Sequence, residues 1–581
     1  MPFQGRLTSS NKITISPRLR KLPAEGRRAA PSRGGGSCPQ PAQSFRTQRE
    51  KILYQSVLPK TYSLSSSLTK IKSKISIPKI VFINFTDAPF YYILNITKLQ
   101  EQLFNNHQIQ KEKVMSIFKA IFQAVYHCLW GDLFTIPLPG GSTLGISLLV
   151  LILIPSGIYF TLRTRFLPFR LFPEMLRITA EKRNKSREGA ISGVQALIVS
   201  TATRVGMGNL VGVVAAISLG GAGAVFWMWV TALLGASTAF IEATLAQIYK
   251  EKDPLYGGYR GGPAYYIHHL FVKPGSPKKK SVIAILFALS GLICWCGISQ
   301  VIANSVSSAF YNAFQIPPLY TTILLVVVSA VIVLRKYATV KVLDVVVPVM
   351  AVLYFLFTIF IMIKNAGLLP SVFRQIFEEA FGIRQAAAGG FGAVLMNGAK
   401  RGLFSNEAGS GSAPCAAAAA DISHPAKEGL LQALGVFIDT LVICTCSAMI
   451  MLLTPAGLTD GLSGMDLLQK AMGHHLGEFG VIFIAVILWL FSFSTFIGIL
   501  FYARPNVAYL FGDNWLSQTM YKVLALIMLF VGGLAAYTFV WDLGDVGVGL
   551  MTVFNMIALF PMARHALDSL KDYEEKRKSN S

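Results

Sequence analysis

Charge is scarce in this chain. Asp, Glu, Lys and Arg together make up 14% of its 581 residues, against 53% hydrophobic residues and a mean hydropathy of +0.52, a balance that excludes an ordinary soluble domain. Cysteine is thin too: seven residues, with no C-x-x-C pair and no histidine at zinc-finger spacing, so the usual zinc motifs are missing. Cys294 and Cys296, like Cys444 and Cys446, stand in apolar runs, where small buried thiols are the ordinary reading. The pairs His268-His269 and His474-His475 are adjacent in sequence, and such neighbours do not share a helix face. No G-x-x-x-x-G-K-[ST] stretch is present, which excludes that route to nucleotide-driven work. There is no H-E-x-x-H and no histidine embedded beside the many serines, so a nucleophile would lack its base, and an intramembrane enzyme is set aside.

Long apolar runs are what the chain has instead. A membrane-crossing helix takes about 20 apolar residues, and Gly, Pro or charge punctuation divides the runs into eleven candidates. They lie near 143–162, 191–217, 221–249, 281–310, 319–334, 342–363, 386–420, 429–454, 477–503, 523–540 and 543–563. The expected fold is therefore an all-α polytopic membrane protein of about eleven transmembrane helices, with no room for a large soluble domain after residue 143. Residues 115–142 form an amphipathic segment ahead of the first span. Residues 1–114 hold 19 Lys or Arg against 5 Asp or Glu, and are rich in Ser and Pro. That composition reads as a leader that is removed, untranslated or peripheral. It offers neither a folded basic face nor aromatic platforms, so nucleic acid is not an expected partner.

Basic residues choose the sides. Loops following odd-numbered spans, with the tail from 564 to 581, carry 26 Lys or Arg, and the opposite loops carry 4. Cytoplasmic loops hold the excess, so residue 143 is placed outside and the charged tail, 566–581, in the cytoplasm of a cell-membrane protein.

Two spans contain their own breaks. In SGVQALIVSTATRVGMGNLVGVVAA, Arg204 is followed by Gly206, Gly208 and Asn209, and RGLFSNEAGSGSAP at 401–414 interrupts the seventh span. Setting the first span aside, ten remain in two sets of five, about 191–363 and 386–563, each opening on a broken helix and running in opposite senses. Such a pattern marks an inverted-repeat transporter with its site at mid-membrane. Unwound main chain in lipid costs several kcal/mol per unpaired group, so it persists only around a cavity, water or ligand. Half-helix N-termini there suit a carboxylate, and freed carbonyls suit a cation. Glycine in membrane helices more often serves close packing, but two breaks in matching places, each with charged or amide residues, point to a site. Arg204 and Glu407 are a candidate pair across it. Glu242, Asp439 and Asp344 read first as structural anchors, Lys400 and Arg401 as facing an aqueous vestibule, and Asp542 and Asp545 as solvated near a helix end. In FIAVILWLFSFSTFIGILFY, Phe491, Ser494 and Thr495 share one face at i, i+3 and i+4, putting a carbonyl and two hydroxyls where a hard cation would want them. An ion channel also tolerates broken helices, but it would want a symmetric filter.

The segments LRTRFLPFRLFPEM, RVGMGNLVGV, GGAGAVFWMWVTALLG, RGGPAYYI, RGLFSNEAGSGSAP and GVFIDTLVICT resemble the alanine or glycine:cation symporter family, also called the sodium:alanine symporter family. The resemblance covers most of 128–565. It implies a leucine-transporter-like five-plus-five inverted repeat with one extra helix in front, importing alanine- or glycine-class amino acids with sodium or, less often, protons. No other cofactor is implied. By the same resemblance, Thr203 to Asn209, including Arg204, Gly206 and Gly208, contact substrate and ion; Phe404, Ser405, Asn406 and Gly409 line the second break. Thr203, Gly206, Phe491, Ser494 and Thr495 form the sodium set, and Gln195 lies near the inner half. Two departures stand out: Ile499 replaces the usual tryptophan and Arg504 an acid in STFIGILFYARP, and Cys296 stands where an aromatic is common. Lost aromatic volume implies a wider pocket.

Overall fold

Continuous apolar runs, without the apolar–polar alternation of a membrane barrel, satisfy their main chain in hydrocarbon by forming helices. The computed structural model describes residues 116–117, 119–137, 143–181, 191–273, 275, 280–335, 339–382, 391–535 and 537–579, all within the unit Glu101–Ser581. The expected leader lies outside them. Among the described residues seven helices are long and apolar enough to cross a membrane, from Gly223–Ile248 to Val540–Ser579, and the bent pair Gly193–Gly206 and Gly208–Gly220 makes an eighth if counted as one span. Leu148–Arg163, Pro318–Val333 and the interrupted Phe391–Asn406 stand at the other expected spans. Large apolar side chains such as Val345, Val349, Val352 and Leu356 remain exposed along one helix, the face such a protein turns to lipid.

Several boundaries differ from the reading of the sequence. The first span begins at Leu148, because Thr143–Ser147 pairs antiparallel with Asp132–Pro137 and the Ser147 hydroxyl accepts from the Val150 N–H as an N-cap. A second small hairpin joins Glu251–Lys252 to Tyr259–Arg260. The last two helices are Trp515–Leu534 and Tyr537–Ser579, not 523–540 and 543–563. The chain turns at Ala535, where the backbone is extended, and the acidic residues mistaken for a helix end lie inside the last helix. That helix also continues through the expected tail to Ser579.

The tail is held. Glu174, on the short helix Phe172–Thr179, accepts from the Tyr573 hydroxyl at 2.5 Å and from Arg177 at 2.7 Å, with Arg577 at 3.7 Å. Burial pushes its carboxyl up, but those two hydrogen bonds and the charges of Arg177 and Arg577 outweigh it and hold the group below its ordinary 4.5.

Candidate functional site

The first broken helix bends by 43° without unwinding. Met207–Val211 is a π-helical stretch between Gly193–Gly206 and Gly212–Gly220, which corrects the expectation of an open gap. A π-turn widens the ring of the hydrogen bond and displaces main-chain groups while keeping most of them paired. The second break is open. Helix Phe391–Asn406 ends, Glu407, Gly409 and Gly411 take φ of 55°, 91° and 82°, and Ala413–Ala417 resumes.

Side chains take up the main-chain groups freed there. Glu242 Oε2 accepts from the Gly409 N–H at 2.9 Å, and Asn555 donates to the Gly409 carbonyl at 3.0 Å and to Glu242 Oε1 at 2.5 Å. Tyr266 in turn donates to Asn555 Oδ1 at 2.5 Å. Glu242 is thus an anchor of the break, buried at 1% exposure. Glu407 turns to Ser412, whose hydroxyl donates to it at 2.7 Å.

The two breaks touch each other. Ser405 Oγ donates to Asn209 Oδ1 at 2.8 Å, and Asn209 Nδ2 donates to the Asp439 carbonyl at 2.8 Å. A methyl group on Gly208 would lie 2.9 Å from both the Phe404 carbonyl and Ser405 Cα, so only glycine permits this approach.

Oxygens gather on the other flank of the bend. Thr495 Oγ1 lies 3.1 Å from the Ala202 carbonyl and 3.3 Å from that of Thr203, and Ser494 Oγ lies 2.8 Å from the Phe491 carbonyl. A methyl on Gly206 would come within 2.7 Å of the same Phe491 oxygen and overlap Thr495. These two hydroxyls and three carbonyls are all of the hard-donor type a sodium ion takes. Thr203 enters through its main chain, since its hydroxyl donates to the Val199 carbonyl at 2.8 Å. Ala202 escaped the reading of the sequence because any residue carries a carbonyl.

A small pocket lies against the second break. Phe404, Trp295, Ile298 and Met551 give it apolar walls, and Glu407, Ser410 and Ser412 a polar one.

Other candidates lie elsewhere. Arg204 does not pair with Glu407: it donates to Asp439 Oδ2 at 2.7 Å and to Gln432 Oε1 at 2.8 Å, because Asp439 reaches it from the neighbouring π-helical stretch Phe437–Cys444. Gln195 donates to Asp344 at 2.6 Å, which ties two helices together away from the breaks. Asn406 lines a separate apolar crevice with Leu153, Leu234 and Thr238, its Oδ1 accepting from the Ala408 N–H. Lys400, Arg401 and Asp545 are neither in a vestibule nor solvated. They are 7%, 4% and 1% exposed, with Asp545 bound to Lys400 at 2.6 Å and to Arg401 at 3.2 Å. Of the departures, Cys296 contacts Tyr521, and neither it nor Ile499 lines this pocket, whereas Trp295 does.

Residues 140–581 match the family described as the sodium:alanine symporter family. The chain is similar to the probable sodium/glutamine symporter GlnT of Bacillus subtilis (strain 168), 42% identical over 74% of this chain and 89% of that protein. It is 42% identical to the amino-acid carrier protein AlsT of the same organism, over 74% and 89%. The sodium/alanine symporter AgcS of Methanococcus maripaludis is 34% identical over 74% and 95%. Among solved structures, that of MhsT in complex with L-phenylalanine aligns at 14% identity and a TM-score of 0.47, covering 64% of this chain and 89% of that one.

Proposed function

Because the chain belongs to the sodium:alanine symporter family, we propose that this cation-coupled amino-acid transporter of the cell membrane imports small neutral amino acids with sodium by alternating access. In this reading eleven spans form two inverted sets of five behind one leading helix, residues 1–114 stand apart from the transporter, and the tail is cytoplasmic. Sodium sits among the oxygens of Ala202, Thr203, Phe491, Ser494 and Thr495. The amino acid lies beside Phe404 and Ser405, its carboxylate toward the bend at Gly206 to Asn209 and its side chain toward the second break.

The observation that carries this reading is the convergence of oxygens from two helices nearly 300 residues apart at the point where the first helix bends. A cation there would hold the Gly464–Phe511 helix to the bend, so sodium binding and the shape of the amino-acid site become one equilibrium. Labelled alanine should accumulate in vesicles only with an inward sodium gradient. T495A should raise the sodium concentration needed for half-maximal uptake by at least about tenfold, the effect of losing roughly 1.4 kcal/mol of ion binding. Uptake that ignores sodium would end the proposal. The pocket beside Phe404 has a polar wall, and one relative is named for glutamine, so competition by glutamine is expected to exceed that by valine or methionine.

A further inference from the structure

A chain of polar groups leaves the bend and stops at a carboxyl with an open oxygen. Arg204 Nη2 and Ser200 Oγ both donate to Gln432 Oε1 at 2.8 Å, and Gln432 Nε2 donates to Glu428 Oε1 at 2.9 Å. Among the described residues Glu428 Oε2 has no hydrogen-bond partner, and the residue is 0% exposed. It lies in the first turn of Pro425–Val436. The open oxygen faces the start of the first broken helix: a methyl on Gly193 would lie 2.9 Å from it, between Ile422 and Leu431.

Among the described residues the charges around it are committed elsewhere. Lys250, the one whose field reaches Glu428, gives its ammonium to Gln247 and to the Ala420 carbonyl, both at 2.7 Å. Arg204 is held by Asp439 beyond Gln432. His424 and Lys427, on the same turn, face Asp572 and Glu181. Buried acids elsewhere are provided for: Asp439 and Asp545 have cations, Glu379 takes the N–H groups of Ala222 and Gly223, and Glu242 takes Gly409 and Asn555. An ionised carboxylate with one amide donor and no cation would cost several kcal/mol here, far more than the neutral acid.

We propose that Glu428 is a proton-binding site, occupied while the inner half of the first broken helix covers it and emptied when that half-helix moves away. The cover is fastened by the Asp421 N–H, which donates to the Ile191 carbonyl at 2.8 Å. Opening admits water, the acid O–H bond breaks, the proton passes to that water and the carboxylate keeps the electron pair. Closing requires the proton back. Low pH on the cytoplasmic side therefore holds the inner half shut, and higher pH favours opening. The inference rests on the transport reading for its consequence but not for the site.

Two measurements on the full chain test it. In infrared spectra of the purified protein at neutral pH, subtracting E428Q from wild type should leave a protonated-carboxyl band; a carboxylate band in its place overturns the proposal. In proteoliposomes, alanine exchange by wild type should quicken several-fold as the interior goes from mildly acidic to mildly alkaline. E428Q, checked by its melting temperature to be folded, should lose that dependence and E428D should keep it. Equal pH slopes in wild type and E428Q overturn the gating role. A protonated band in a protein that moves no alanine supports the proton site and sinks the transport reading instead.

Discussion

Arg204 and Asp439 are both without side-chain exposure and 2.7 Å apart. Two charges in such a place cost several kcal/mol each to desolvate and are bearable only together, so removing one partner is far worse than removing both. R204M and D439N should each destabilise the protein by about 3–5 kcal/mol. R204M/D439L should lose less than the sum, as read from thermal unfolding in detergent; additive losses would show that the pair is not coupled. That Arg204 needed a partner could be read from its depth in an apolar run, but which acid supplied it could not. Glu407 is nearer in kind, belonging to the other break, yet its backbone at φ 55° turns its carboxyl to Ser412. At Gly206 the argument is steric. G206A puts a methyl 2.7 Å from the Phe491 oxygen, so sodium-dependent uptake should fall to background while surface expression persists.

At the scale of elements, the long runs were legible because hydrocarbon leaves an apolar stretch no other fold, and the second break because Gly409 and Gly411 sit at positive φ, where other residues are strained. The form of the first break was hidden: a π-turn and a gap use the same glycines. Asp542 and Asp545 misplaced the last helix because a charge was taken for a helix end. Only the tertiary structure brings Lys400 and Arg401 across to Asp545. The clasp on the Phe172–Thr179 helix was hidden too, since Glu174 and Tyr573 are 399 residues apart. It carries its own pH dependence. Glu174 is held below 4.5 in the folded protein, so its contribution is present above that value and lost as pH falls through the lower folded one. A spin label on K571C, an exposed position, should therefore become mobile on acidification below about pH 4.5. E174Q should show that mobility at neutral pH and little further change.

The whole molecule is organised around two breaks that share partners. Asn209 belongs to one and Ser405 to the other, and both meet the π-helical stretch at Asp439 and Thr440. Ligands on either flank therefore act on one set of contacts, and linkage requires their effects to be mutual. Saturating alanine should tighten sodium binding by the same factor as saturating sodium tightens alanine. S405A should shrink both factors alike, measured by calorimetry on the purified protein. The last helix adds a mechanical link. It grips Lys400 and Arg401 through Asp545 and Glu174 through Tyr573, points separated by 28 residues of one helix, or about 42 Å of axial rise. A rod pinned at both ends behaves as a tie-bar: when one pin slips, the strain is delivered to the far one, and the clasp on the tail registers an event one helix length away.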